Sequence, residues 1–159
     1  PELATVPPTE LAKAGFDPVP LFYDVEGPPP GFVRLIYGRS PVHSFGRTQN
    51  NRCLSGLVPA NAAWISPATA AAWGLAHGGR VMLENQDGAR TGPIAVKVTE
   101  RVRDDVLYMV NGFGHTNPGM RLAYKRGGAD SELITRYATD PLMGGTGMRV
   151  NFVRVAREA

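Results

Sequence analysis

The chain has 159 residues, 43% of them apolar and 19% charged, with a formal net charge of +3. That is enough for one compact domain with a real core, and the composition excludes a disordered chain. The small positive excess is dispersed: Arg101 and Arg103 are followed at once by Asp104 and Asp105, so no nucleic acid partner is expected. The single cysteine, Cys53, excludes an intrachain disulfide and a multi-cysteine metal site. Its expected place is a small, partly buried packing position. No apolar run approaches the roughly 18 residues of a membrane-spanning helix, so direct membrane insertion is not expected. The chain begins abruptly at Pro1, without an initiator Met or a signal peptide, and is expected to be a fragment or a processed product.

Residues 1–31 contain Pro7, Pro8, Pro18, Pro20 and the triplet Pro28, Pro29, Pro30. A short helix over residues 9–14 is expected, capped by Thr9 and ended by Gly15. The remainder reads as an extended strap or inter-domain linker, because proline removes donors and restricts its predecessor. Residues 32–159 read as the domain proper. An apolar strand over residues 32–37 runs into a polar loop, 38–51, that carries Arg39, His43, Ser44, Arg47 and Thr48 and no carboxylate. Such a loop suits a ligand rich in anionic oxygens, or else is a solvated basic loop. Residues 54–60 have a mixed pattern, and Trp64 and Ile65 read as a short buried strand. Ser66 and Pro67 open a helix that Gly74 stops. His77, Gly78 and Gly79 form a turn. Strands follow over Arg80–Asn85, residues 94–99, Val106–Val110 and residues 151–155, with a hairpin-type turn at Asp87 and Gly88. Between residues 110 and 150 the pattern breaks into glycine-rich polar loops at 111–119, 127–131 and 140–147, with a short helix expected from Ser131 to Ile134. Long loops in compact domains tend to be functional. Six or so short strands, tight turns and small helices predict a mostly β barrel.

The motifs of self-sufficient catalysis are missing. His43, His77 and His115 have no metal-type spacing, and a zinc site from His43, His115 and Asp130 lacks a motif. There is no nucleophile elbow, no Walker loop, and Gly112 and Gly114 do not complete a dinucleotide fingerprint. Asp104 and Asp105 read as a solvated pair. Trp64 and Trp73 read as core.

The order of the pieces carries more information than any one of them. It runs Gly38-Arg39-x-x-x-His43-x-x-x-Arg47-Thr48-x-Asn50, then Ala63-Trp64-Ile65-Ser66-Pro67-x-x-Ala70-x-x-Trp73-Gly74-Leu75, then Gly78-Gly79-Arg80-Val81-x-Leu83-Glu84-Asn85-x-x-Gly88. This resembles the C-terminal molybdopterin-dinucleotide-binding domain of the dimethyl sulfoxide reductase superfamily, from residue 32 to the end. The loops around His43 and His115 look most like those of polysulfide or thiosulfate reductase catalytic subunits. The resemblance implies a six-stranded double-psi β-barrel of the aspartate-decarboxylase-like type. It implies a bis-(molybdopterin guanine dinucleotide) cofactor with molybdenum or tungsten, whose metal ligand comes from other domains of the parent catalytic subunit, as does an iron–sulfur cluster. An iron–sulfur electron-transfer subunit, a membrane anchor subunit and a location on the periplasmic side of the membrane are further expectations from the same source. Cofactor contacts are carried over to Arg39, His43, Ser44, Arg47 and Thr48, to Gly114 and His115, and to Asp130, which stands where many relatives have asparagine. Cys53 does not inherit the family's metal ligand.

Two rival readings belong to other classes. A stand-alone double-psi barrel acting as a protein- or substrate-binding adaptor would cluster exposed apolar residues such as Phe45, Phe113 and Met120. A small barrel enzyme would use His43 or His115 as acid and base.

Overall fold

The computed structural model describes residues 8–13, 15–16, 26–140 and 144–156. The expected extended path of residues 17–25 and the tip of the fourth loop, 141–143, lie outside the described residues. The short N-terminal helix α1 is Pro8–Lys13, with Gly15 at φ +79 just beyond it.

Six strands close into a barrel: β1 (Val33–Gly38), β2 (Ala62–Ile65), β3 (Arg80–Asn85), β4 (Arg90–Val98), β5 (Val106–Val110) and β8 (Phe152–Val155), in the order β1-β5-β2-β4-β3-β8. The expected mostly β, closed double-psi barrel is what the chain forms. Alternation along the strands turns Val33 and Leu35, Ala63 and Ile65, Ile94 and Val96, and Leu107 and Met109 inward. Closure leaves no bare sheet edge in the barrel. The pairs β1/β5 and β2/β4 are parallel and the remaining four antiparallel.

Local chemistry explains the strand ends. Helix α3 (Pro67–Trp73) has Ser66 as its cap: the Ser66 hydroxyl accepts the Thr69 N–H at 3.1 Å, and Gly74 ends the helix at φ +65. Strand β4 is longer than predicted. It starts at Arg90 and passes through Gly92-Pro93, which the sequence alone presents as a break. A register shift between Val81 and Leu83 lies across from it. On the outer face, Glu84 of β3 sits between Arg90 of β4 (2.6 Å) and Arg154 of β8 (2.7 Å), each its direct cross-strand neighbour. The two guanidiniums, Arg154 first, hold the Glu84 carboxyl below its ordinary range.

Two sequence expectations about packing are corrected. Trp64 is not core: it stands half-buried on the outer face of β2, edge-on to Tyr108 at 5.3 Å and beneath the Lys97 ammonium at 3.6 Å. Its neighbours Ala63 and Ile65 take the inward positions, since a strand gives alternate residues to opposite faces. Cys53 is exposed, on α2 (Arg52–Leu57), a helix in a stretch expected to be part loop and part irregular. A small exposed ribbon, β6 (Ala138–Thr139) with β7 (Thr146–Gly147), completes the described elements. Among the described residues no helix is long and apolar enough to cross a membrane.

Candidate functional site

Strand direction gathers the glycine-rich loops. Because β1 and β5 are parallel and in register from Arg34↔Val106 to Gly38↔Val110, both finish at the same end of the barrel. The loops that follow, 39–51 and 111–119, therefore leave side by side, and the Asn111 N–H donates to the Gly38 carbonyl at 2.9 Å. The third loop is brought to the same place by Asn61, just ahead of β2. Its side-chain amide donates to the carbonyls of Val110 (2.7 Å) and Gly128 (2.9 Å), and its oxygen accepts the Gly128 N–H at 2.9 Å. Thr91 adds a fourth tie by accepting the Ala129 N–H at 2.8 Å.

The first loop is folded on itself. His43 is 5% exposed, its Nε2 is 2.8 Å from the Val58 carbonyl and its Nδ1 is 3.3 Å from Thr48 Oγ1. A carbonyl only accepts, so Nε2 carries the proton and Nδ1 accepts from the Thr48 hydroxyl. That hydroxyl in turn accepts the Ser44 N–H at 2.9 Å. A 3-10 turn, Phe45–Thr48, follows, and Asn51 caps α2 by accepting the N–H groups of Cys53 and Leu54. His43 and Thr48 are thus engaged within the loop. The exposed side chains Arg39, Ser44 and Arg47 remain at its surface. Arg39 lies over the Phe45 ring at 4.9 Å, and Arg47 Nη2 donates to Ser44 Oγ at 3.2 Å. Neither arginine forms an ion pair among the described residues. Glu84 is held by Arg90 and Arg154, and Asp87 by Arg136 at 2.5 Å, so neither carboxylate pairs with Arg39. Phe45 itself sits at φ +53, a strained setting for an aromatic residue.

The second loop threads between the first and the third, and its glycines are forced by contact. At Gly112 (φ +83) a Cβ would stand 2.7 Å from the Gly46 nitrogen; at Gly114 (φ +80), 2.5 Å from the Ala129 nitrogen; at Gly46, 2.8 Å from His115 Cε1. A side chain at Gly112 or Gly114 would meet backbone and push the loops apart, whereas one at Gly46 would displace the His115 ring. Asp130 opens α4 (Asp130–Leu133), is 9% exposed, and accepts the Gly112 N–H at 2.9 Å. Burial first, and the Asp130 charge second, raise the Tyr37 phenol above its ordinary value. Phe113 is buried, edge-on to the His43 ring at 5.6 Å. The apolar surface cluster of the adaptor reading therefore lacks Phe113.

Between the loops lies a cleft of about 310 Å³ walled by Gly46, Gly112, Gly114, His115, Ala129 and Ser131. A second cleft of about 230 Å³, toward Thr91, Pro93 and Lys125, shares Gly114, Thr116 and Glu132 with it. Three buried polar atoms have no hydrogen-bond partner among the described residues: Gln49 Oε1, Asn111 Oδ1 and His115 Nε2. All three come from the two loops that meet here. Burying such atoms unpaired costs about 1–3 kcal/mol each. Two carbonyl-type acceptors and an imidazole nitrogen, on loops one of which carries two guanidiniums without ion pairs, fit a ligand that presents N–H donors at one part and anionic oxygens at another. Among the described residues no group of three or more His, Cys, Asp or Glu could hold a metal ion, and the His43–His115–Asp130 zinc arrangement does not form.

Of the predicted residues, Arg39, Ser44, Arg47, Gly114, His115 and Asp130 stand on the three converging loops, with His43 and Thr48 inside the first. Sequence reasoning missed Asn61, Asn85 and Asn151, the buried amides that hold the loops. Asn85 donates to the Leu133 carbonyl and to Thr135, and Asn151 donates to the carbonyls of Arg136 and Met148. Each stands at a strand boundary, and Asn85 alone also falls in the Glu84-Asn85-x-x-Gly88 pattern.

A family model described as the molydopterin dinucleotide binding domain matches residues 33–151. The thiosulfate reductase molybdopterin-containing subunit PhsA of Salmonella typhimurium is 34% identical over 110 residues, which is 69% of this chain and 14% of that protein. Acetylene hydratase from Pelobacter acetylenicus superposes with a TM-score of 0.60 at 16% identity, over 91% of this chain and 22% of the other, a likeness of fold alone. The chain thus spans a small part of the length of these relatives. From the matched span and the shared barrel, the chain belongs to the molybdopterin-dinucleotide-binding domain family of the dimethyl sulfoxide reductase superfamily.

Proposed function

We propose that the loop end of the barrel holds molybdopterin guanine dinucleotide, as bis-(molybdopterin guanine dinucleotide) with molybdenum or tungsten, in an oxidoreductase that reduces a sulfur compound such as thiosulfate or polysulfide. The observation that carries the reading is the set of orphaned polar atoms, Gln49 Oε1, Asn111 Oδ1 and His115 Nε2, between loops that bear two unpaired arginines. The family match and the 34% identity to a thiosulfate reductase subunit support it. When bound, the cofactor supplies two-electron redox chemistry at its metal. The residues of this chain bind and orient it. Arg39 and Arg47 pair with pyrophosphate oxygens, and the Ser44 hydroxyl donates beside them. Gln49 Oε1 and Asn111 Oδ1 accept N–H groups of the ring system, and His115 Nε2 sets the proton at its own edge of the site. His43 and Thr48 serve by holding the first loop in shape, and Gly114 by letting the second loop approach. Other domains of the parent subunit complete the site, reached through residues 1–31. They supply the metal ligand and the iron–sulfur cluster. An electron-transfer subunit and a membrane anchor subunit on the periplasmic side complete the assembly.

The test is an amide-shift titration of the isotope-labelled 159-residue chain with molybdopterin guanine dinucleotide. Shifts gathered in residues 38–51, 111–116 and 129–131 are expected. Shifts scattered over the barrel, or none at millimolar ligand, would overturn the assignment of these loops.

A further inference from the structure

We propose that Asp130 is a positioning residue: by accepting the Gly112 N–H it sets the 111–116 segment, and through it the His115 ring, without touching the ligand itself. The proposal deepens the cofactor reading above and rests on it for its functional half.

Asp130 is the first residue of α4, and the backbone on both sides of it is tied to the barrel. Gly128 is bonded to Asn61 through both its N–H and its carbonyl, and the Ala129 N–H goes to Thr91. Leu133, three residues on, is fully buried in the core, and its carbonyl accepts from Asn85. The Asp130 carboxylate is therefore a rigid point of the barrel, although it belongs to a loop region in sequence. It reaches across 18 residues to Gly112, Oδ1 to N–H, at 2.9 Å.

The segment it holds is otherwise fixed by the Asn111 N–H bond to Gly38 and by buried Phe113 against His43, and it has no spare room. Gly112 stands against the Phe45–Gly46 backbone, and Gly114 against Ala129. The Gly114 N–H donates to the Arg126 carbonyl and the Lys125 N–H to the His115 carbonyl, so residues 114 and 115 are tied to residues 125–126 and not to the barrel wall. The Asp130–Gly112 bond is the side-chain link from the helix start to this strip. If it is lost, Gly112 is free to swing away from Gly46, and His115, whose Cε1 lies 2.8 Å from where a Gly46 Cβ would be, loses its register with the first loop. At 9% exposure, and with one oxygen already accepting, the carboxylate is better placed to hold the loop than to meet a ligand. A carboxylate oxygen and an amide oxygen both accept, so asparagine performs the same task provided its oxygen faces Gly112.

Three measurements on the full 159-residue chain decide the matter. In the wild type, a through-hydrogen-bond scalar coupling between the Gly112 nitrogen and the Asp130 carboxyl carbon is expected, together with slow exchange of the Gly112 amide; absence of both overturns the proposal before any variant is made. Asp130→Asn is expected to keep the slow exchange and the His115 ring resonances. Asp130→Ala is expected to speed Gly112 exchange by about tenfold or more, the loss of a charge-assisted bond, and to shift the His115 ring protons while the Ile65 and Val96 methyl resonances stay in place. Molybdopterin guanine dinucleotide should then bind Asp130→Asn as it binds the wild type and bind Asp130→Ala more weakly by about tenfold. Asp130→Asn behaving like Asp130→Ala in both exchange and affinity would assign the effect to charge and sink the proposal, as would unchanged exchange in Asp130→Ala. If the wild type binds no dinucleotide, the cofactor reading fails by itself, and the exchange and His115 data still decide whether Asp130 positions the loop.

Discussion

Replacing Asn61 by alanine tests whether the loop end is held by buried amides. Asn61 is 4% exposed and makes three hydrogen bonds of 2.7, 2.9 and 2.9 Å to Val110 and Gly128. Alanine leaves two carbonyls and one N–H unpaired in a buried place, a loss of roughly 3–5 kcal/mol at about 1–1.5 kcal/mol per bond. A domain of this size has only about 5–15 kcal/mol in total, so the variant should unfold at markedly lower denaturant with an unchanged slope. A second substitution sharpens the test. A Cβ on Gly127 (φ +70) would fall on Asn61 Oδ1. In the wild type, Gly127→Ala therefore meets both the clash and the left-handed backbone. With Asn61 already shortened the side-chain clash is gone, leaving the backbone penalty of about 1–2 kcal/mol and the Asn61 nitrogen at 3.0 Å. The two substitutions should therefore cost less together than the sum of each alone, by more than the roughly 0.5 kcal/mol expected of independent sites. Chemical denaturation of the four proteins of the cycle measures this. Strict additivity, or an Asn61→Ala cost below about 1 kcal/mol, would refute the reasoning.

Gly114→Ala places a Cβ 2.5 Å from the Ala129 nitrogen at φ +80; it should displace the second loop, seen as amide-shift changes at 112–116 and 128–131 with the β3 and β8 resonances intact. His43→Ala removes the bonds to Val58 and Thr48 and should cost roughly 2–3 kcal/mol, with hydrogen exchange rising in residues 39–58 before the rest. Arg39→Ala and Arg47→Ala, both at exposed side chains, should leave stability within about 0.5 kcal/mol and each weaken dinucleotide binding by about tenfold; equal affinity in both variants would remove these residues from the site. Glu84, held low by Arg154 and Arg90, binds fewer protons folded than unfolded near pH 4. Its stabilisation is therefore complete above the ordinary glutamate range near about 4.3 and fades as pH falls through the lowered folded value. Thermal melts from neutral to acid pH should show a shallower acid-side decline for Glu84→Gln than for the wild type.

The barrel was legible because its signals are local. Alternation marked Arg80–Asn85 and a short apolar run marked Val106–Val110, each to the residue, and Ser66, Pro67 and Gly74 marked both ends of α3. The start of β4 was not, because Gly92-Pro93 is a break by every short-range rule, and only pairing with β3 keeps it in a strand. The 3-10 turn and α2 were hidden in a polar loop whose helix signal is one cap, Asn51, and whose helix contains Gly56. The residues of the candidate site could be named from their order, but the division of labour among them could not. That His43 faces inward while Arg39 and Arg47 face outward depends on Val58, which is fifteen residues further on. Asn61, Asn85 and Asn151 reach partners up to 67, 50 and 65 residues away, and nothing nearby in the chain distinguishes a buried asparagine from a turn asparagine.

That distribution has a consequence for how the site is built. The apolar core is built mostly from the strands, with Leu35, Ile65, Leu83 and Met109 inside the barrel, and reaches the loop region through Leu133 of α4. The loops beyond it are held mainly by side-chain bonds to their backbone and by glycine contacts too close for any Cβ. Apolar packing has no direction and lets a loop settle in several ways, whereas each of these bonds fixes one donor against one acceptor. Loops built this way keep their shape while some of their polar groups lack a charged or hydrogen-bonding partner among the described residues. Arg39 and Arg47, exposed and without ion pairs among the described residues, and the buried, unpartnered Gln49 Oε1, Asn111 Oδ1 and His115 Nε2 belong to the loops that leave where the parallel strands β1 and β5 finish together. The three buried atoms are held in place by the fold itself, whereas each exposed arginine would still have to be ordered by a ligand, at a cost of up to about 1.5 kcal/mol per side chain.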